Sequence, residues 1–160
     1  MEMPEPNQDV IRRSGELAIA LAAVLFKGAV LDREDQRRVY ESDGLTAYRQ
    51  MPLMVALPET TDQVSKVLRI CGSFGAKVVP RGAGTSLSGG ALPLADGVLL
   101  GMARFNRILA VDYANRCVVA QPGVSNLAIS DAVADRGFYY APDPSSQIAC
   151  TIGGTVAENA

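Results

Sequence analysis

The chain begins in a helical hydrophobic period and then changes to short apolar runs separated by turns. Over residues 9–27 the spacing predicts a first helix, buried by its apolar decamer 17–26 and ended near Gly28. Residues 32–40 are rich in charge and predict a short helix or turn ahead of a strand that leads into the main domain. Leu53-Met54-Val55-Ala56-Leu57 is a continuous apolar run and reads as a buried strand. Pro58-Glu59-Thr60-Thr61 then supplies a turn and a helix N-cap. Residues 62–74 follow with Val64, Val67, Leu68 and Cys71 at helical spacing, and Gly75 is placed to stop that helix. Lys77-Val78-Val79 is the next strand, so residues 53–79 form a β-α-β unit with parallel strands.

Beyond Gly97 the pattern changes to short strands over 98–102, 108–112 and 116–120. Asp112-Tyr113-Ala114-Asn115 between the last two reads as a hairpin turn. Residues 125–136 predict a helix with Val124, Leu127, Ile129 and Val133 facing inward and Gly137 as its stop. The fold class is therefore α/β (α+β): a small β-α-β lobe followed by a mainly antiparallel lobe with helices. The division is an N-terminal helical segment with a leading strand over 1–48 and a ligand-binding domain over 49–160.

The chemistry concentrates where the second strand ends, at Pro80-Arg81-Gly82-Ala83-Gly84-Thr85-Ser86-Leu87-Ser88-Gly89-Gly90. Loops at the carboxyl ends of such strands are where α/β proteins bind ligands. Glycines let backbone N–H groups converge on an anion, and Thr85, Ser86, Ser88 and Arg81 add donors and charge. The loop matches neither common nucleotide motif. The third glycine of a dinucleotide fingerprint falls on Leu87, and Gly90 stands where a P-loop needs lysine. Gln121-Pro122-Gly123-Val124, Ala141-Pro142-Asp143-Pro144-Ser145-Ser146 and Cys150-Thr151-Ile152-Gly153-Gly154-Thr155-Val156-Ala157-Glu158-Asn159-Ala160 add two proline-stiffened turns and a second glycine loop. Together they could wrap a long ligand from several sides.

In this order and spacing the four segments resemble the FAD-binding domain of the vanillyl-alcohol oxidase or p-cresol methylhydroxylase type. Within it they are most similar to the FAD-linked subunit of bacterial glycolate oxidase, close to the D-lactate dehydrogenases. Residues 40–48 and the run Gly101-Met102-Ala103-Arg104-Phe105-Asn106 share the resemblance. It implies FAD held non-covalently between two lobes. Arg81, Gly82, Ala83, Gly84, Thr85 and Ser86, with Pro80, Gly89 and Gly90, would meet the pyrophosphate. Pro122 and Gly123 would line the adenine side, and Pro142, Asp143, Pro144, Ser145 and Ser146 would lie along the cofactor. Thr151, Ile152, Gly153, Gly154, Ala157 and Asn159 would approach the flavin end. The family usually carries asparagine where this chain has Thr155.

The resemblance further implies oxidation of a 2-hydroxy acid, glycolate or D-lactate, by hydride transfer to FAD. It implies iron–sulfur and second FAD-binding subunits as partners, and a cytoplasmic protein that can sit at the inner face of the cell membrane. It also implies an incomplete domain, because the chain stops inside the last motif; the residues handling the substrate are expected further along, and this segment alone is expected to be inactive. Without the resemblance, the loops fit a non-catalytic nucleotide-binding module or an inactive fragment equally well.

Composition narrows the classes. A net charge of −2 with scattered basic residues gives no electrostatic footprint for nucleic acid. There is no histidine, so neither the usual general base nor the usual flavin-linking side chain is present. Three widely spaced cysteines, Cys71, Cys117 and Cys150, offer no metal-ligand spacing and read as reduced, buried thiols of a cytoplasmic protein. The decamer 17–26 is too short to span a bilayer, and Glu2, Glu5, Asp9 and Glu16 put acid where a signal peptide is basic.

Overall fold

A computed structural model describes residues 3–159. Met1, Glu2 and Ala160, the last of which closes the second glycine motif, lie outside the described residues. The elements run α1 (Gln8–Arg12), α2 (Ser14–Ala22), β1 (Val30–Leu31), α3 (Glu34–Arg37), β2 (Met54–Ala56), α4 (Thr61–Phe74) and β3 (Lys77–Arg81). They continue with β4 (Gly97–Gly101), β5 (Ile108–Asp112), β6 (Cys117–Ala120), α5 (Asn126–Val133) and α6 (Ile152–Ala157). Short 3-10 turns extend α3 and α5.

The first sheet has the order β1-β2-β4-β3, and β5-β6 form a separate antiparallel pair. β2 and β3 are parallel, but they do not touch: β4 lies between them and pairs with both in parallel. The sequence reading had assigned this stretch to the antiparallel lobe. All five residues of β4 are buried, the signature of a central strand covered on both faces rather than of a half-exposed hairpin.

The N-terminal part differs in two further respects. The long first helix is two helices, broken at Arg13, whose backbone (φ −92°, ψ 13°) leaves the helical region at a junction formed with the weak helix formers Ser14 and Gly15. The break turns Leu17 and Leu21 fully into the core. The Arg13 guanidinium lies 4.4 Å from the Phe74 ring centre, fixing α2 against the end of α4. There is no strand over 41–48; those residues form turns, and the strand of this region is β1, antiparallel to β2.

α4 follows its sequence cues at both ends. Thr60 accepts the Gln63 N–H with its side chain, and the helix stops at the left-handed Gly75 (φ 69°). Its inward face is Gln63, Val67 and Cys71, whereas Leu68 is 47% exposed. Burial pushes the Cys71 thiol up to about 11, so it packs as a small hydrophobe. Cys150 is buried too, but Cys117 is exposed on β6, against the expectation that all three are buried. In α5 the buried positions are Asn126, Ile129 and Val133, and Leu127 faces outward at 36% exposure.

One polar knot ties the start of the chain to the sheet. Asp96, 2% exposed, accepts the Asn7 N–H at 2.8 Å and the Lys77 ammonium at 2.9 Å. Burial alone would raise this carboxyl; the Asn7 N–H and the lysine outweigh it and hold it below the ordinary aspartate range. A depressed folded-state value means stability that is complete above the unfolded value of about 3.9 and is lost as pH falls through the folded one. Asp96→Asn is expected to cost about 1–3 kcal/mol at pH 7. In urea unfolding, its deficit relative to the parent protein should shrink below about pH 4. An unchanged deficit at pH 3 would mean that Asp96 contributes through packing and not through its charge.

Candidate functional site: a cavity between two glycine segments

The glycine segment leaves β3 at Arg81 and is fixed from below by residues 40–45. Arg81 Nη1 donates to the Tyr40 and Ser42 carbonyls at 3.2 and 2.7 Å, and its guanidinium lies 5.7 Å from the Tyr40 ring centre. Burial lowers the Arg81 guanidinium from its ordinary value, opposed by the charge of buried Asp43, and the side chain stays cationic. Arg81 is therefore a strut as well as a charge. A Cβ on Gly84 would meet that guanidinium, and Gly84 has φ +75°, so both space and backbone angle demand glycine. Gly44 packs directly on the loop: a Cβ there would come within 2.7 Å of the Thr85 and Ser86 carbonyls.

The second glycine segment is mainly a helix rather than an open loop. Thr151 caps α6, its hydroxyl accepting the Gly154 N–H at 3.4 Å. A Cβ on Gly82 would strike this threonine hydroxyl, so the two glycine segments are in direct apposition. The proline turn joins them from the side. Gly153 N–H donates to the Pro122 carbonyl at 2.9 Å and Ile152 N–H to Val124 at 2.8 Å. Gly123 N–H donates to the Phe105 carbonyl, and a Cβ on Gly123 would collide with the Met102 and Phe105 carbonyls.

These segments enclose a cavity of about 620 Å³. That volume lies within the ordinary range of small-molecule sites. Of the residues singled out in the sequence, Pro80, Arg81, Gly82, Ala83, Gly84, Thr85, Ser86 and Gly90 line it from the first segment. Pro122, Pro144 and Ser146 line it from the turns, and Thr151, Gly153, Gly154 and Ala157 from the second segment. Gly89, Gly123, Pro142, Asp143, Ser145, Ile152 and Asn159 are not in its wall. Gly123 packs behind Pro122, while Pro142, Asp143 and Ser145 are exposed. The wall also includes Leu87, Ala91, Met102, Cys150, Thr155 and Glu158, which sequence reasoning had not assigned to the cofactor. Met102 lies in the Gly101–Asn106 run and Glu158 in the last motif, so both were within recognised segments.

Thr155 is buried in α6 against Asn126. Its hydroxyl lies 3.3 Å from Asn126 Oδ1 and 3.2 Å from the Thr151 carbonyl. The Asn126 amide nitrogen is buried with no protein partner, the hydrogen bond a second amide could have supplied.

The donors suit an anion. Ser86 Oγ donates to Glu158 Oε1 at 2.9 Å, and Ser88 Oγ reaches Oε1 and Oε2 at 3.1 and 3.0 Å. The hydroxyls of the first glycine segment thus already hold a carboxylate across the cavity. A pyrophosphate is an oxyanion of the same hydrogen-bonding type, so the residues present fit an FAD. Among the described residues there is no group of side chains able to hold a metal ion, and no helix is long and apolar enough to cross a membrane.

Comparison with known proteins agrees with this chemistry. The FAD binding domain family matches residues 52–160. The chain is 58% identical over 131 residues to the glycolate oxidase subunit GlcD of Escherichia coli (strain K12), covering 82% of this chain and 26% of that protein. It is 41% identical over 128 residues to GlcD of Bacillus subtilis (strain 168), covering 80% and 27%. The chain thus spans about a quarter of the length of these relatives. Its fold matches that of p-cresol methylhydroxylase with a TM-score of 0.78 at 20% identity, over 96% of this chain and 30% of that one. A sequence match that runs from just before β2 through both glycine segments places this chain in the FAD binding domain family.

Proposed function

We propose that this chain is the FAD-binding part of an oxidoreductase that oxidises a 2-hydroxy acid, glycolate or D-lactate. The observation that carries the reading is the cavity itself, where two glycine segments and two proline turns that are far apart in sequence close around hydroxyls holding an anion. Residues 81–86 with Gly90 would hold the pyrophosphate, and Pro122, with Gly123 behind it, the adenine side. Pro144 and Ser146 would lie along the cofactor, flanked by Pro142, Asp143 and Ser145. Thr151, Gly153, Gly154 and Ala157 would approach the flavin end, with Ile152 and Asn159 supporting them. FAD supplies, when bound, the acceptor for a hydride from the α-carbon of the hydroxy acid. The residues of this chain would bind and orient the cofactor. Residues 1–48 act as a buttress for the domain 49–160, since Val10, Leu17 and Leu21 share its core. A cytoplasmic setting is supported by the three free thiols. The relatives are named as subunits, which supports a multisubunit enzyme; iron–sulfur and second FAD-binding subunits would be its partners.

The test is to incubate the full protein with FAD, remove the excess, record the visible spectrum and then add glycolate or D-lactate without oxygen. Retained flavin bands that bleach with either acid are expected. Retained bands that neither acid bleaches would leave FAD in place and overturn the hydroxy-acid assignment. A folded protein that retains no flavin would overturn both.

A further inference from the structure

We propose that Glu158 is a displaceable occupant of the anion site and sets the affinity of the cofactor. Its carboxylate takes the Ser86 hydroxyl at 2.9 Å and the Ser88 hydroxyl at 3.1 and 3.0 Å, and the two hydroxyls lie 2.8 Å apart. The acceptor oxygen also faces Gly90, where a Cβ would lie 3.3 Å from Oε1. The contact joins the first glycine segment to α6 across 70 residues of sequence or more, and Ser86 and Glu158 both line the cavity. The contact therefore sits at the exposed rim of the cavity, with Ser86 and Glu158 in its wall.

The argument turns on charge. A carboxylate and a pyrophosphate are both oxyanions and compete for the same hydroxyl donors. At hydrogen-bond separation, two like charges cannot share those donors without repulsion. Bringing in the pyrophosphate therefore requires the carboxylate to leave Ser86 and Ser88. Glu158 itself is exposed and next to the end of α6, so it can swing to solvent without disturbing the core. With the cofactor absent, the same bridge satisfies the hydroxyls and holds the two glycine segments together. The cost of breaking it is subtracted from the binding energy, as for any site whose competent state is a fraction of the population.

This inference rests on the FAD reading, and the experiment separates the two. FAD binding to the full protein is followed by quenching of flavin fluorescence in the parent protein and in Glu158→Gln, Glu158→Ala and Ser88→Ala, with thermal unfolding as the folding control. Glu158→Gln removes the charge but keeps the shape, and is expected to tighten binding by about tenfold, the worth of one charged hydrogen bond. Glu158→Ala should tighten it as well, whereas Ser88→Ala, which removes a donor the pyrophosphate would use once the carboxylate leaves, should not. Parent protein that binds FAD with Glu158 variants that bind equally or more weakly would overturn the displacement model and make Glu158 a supporting residue. No FAD binding by the folded parent or by any variant would overturn the FAD reading and this inference together.

Discussion

Gly84→Val is expected to remove FAD binding while leaving the protein folded. Gly84 sits at φ +75°, where a side chain costs roughly 1–2 kcal/mol, and a Cβ there meets the Arg81 guanidinium. That guanidinium cannot simply move aside, because it is held by the Tyr40 and Ser42 carbonyls. Valine must therefore deform the loop over residues 82–86, whose N–H groups and hydroxyls are the proposed anion donors. Loss of two charge-assisted hydrogen bonds, at about 1.5 kcal/mol each, weakens binding roughly 100-fold. The strain is small against a domain stability of about 5–15 kcal/mol. Equilibrium dialysis against FAD together with thermal unfolding checks both halves. Full occupancy in the variant would mean that the cradle is built elsewhere.

The site was legible in the sequence because its chemistry is carried by backbone-dominated motifs. Glycines and prolines announce close approach and fixed turns whatever surrounds them, so the segments at 80–90, 121–124 and 150–159 could be found and paired with a cofactor class. Their partners were not legible. That Arg81 is clamped by carbonyls at 40 and 42, or that Gly82 faces Thr151, depends on contacts across 39 residues and more. Nothing in the sequence marks Glu158 within the last motif; its hydrogen bonds to Ser86 and Ser88 exist only in the folded chain. In the fold, local signals held where physics is local: the Thr60 cap, the Gly75 stop and the β5-β6 hairpin. They failed where the answer depends on strand order. The run 97–101 has the same composition whether it pairs with a hairpin neighbour or slots between β2 and β3. Only its complete burial tells the two apart. The outward turn of Leu68 and Leu127 is the same kind of miss, a helix phase set by what the rest of the chain presents to it.

Leu99→Ala is expected to have the opposite profile to the glycine variant. Leu99 is fully buried at the centre of β4, opposite Val55 on one side and Val79 on the other. Alanine there leaves a void on the sheet face that Leu99 shares with Val55 and Val79, and neighbours held by parallel ladders on both sides can collapse only in part. Such truncations cost about 2–5 kcal/mol. For a chain of this size that lowers the unfolding midpoint by on the order of ten degrees. The loop donors at 82–86 and the cap at Thr151 are not touched by the change. FAD affinity measured well below the midpoint should therefore stay within a few-fold of the parent value. The pair of variants then separates two layers of the molecule, a sheet that supplies stability and a glycine-lined rim that supplies binding. Loss of flavin by Leu99→Ala at low temperature, with the fold intact, would show that the cavity is held open by the packing of β4 and that the two layers are one.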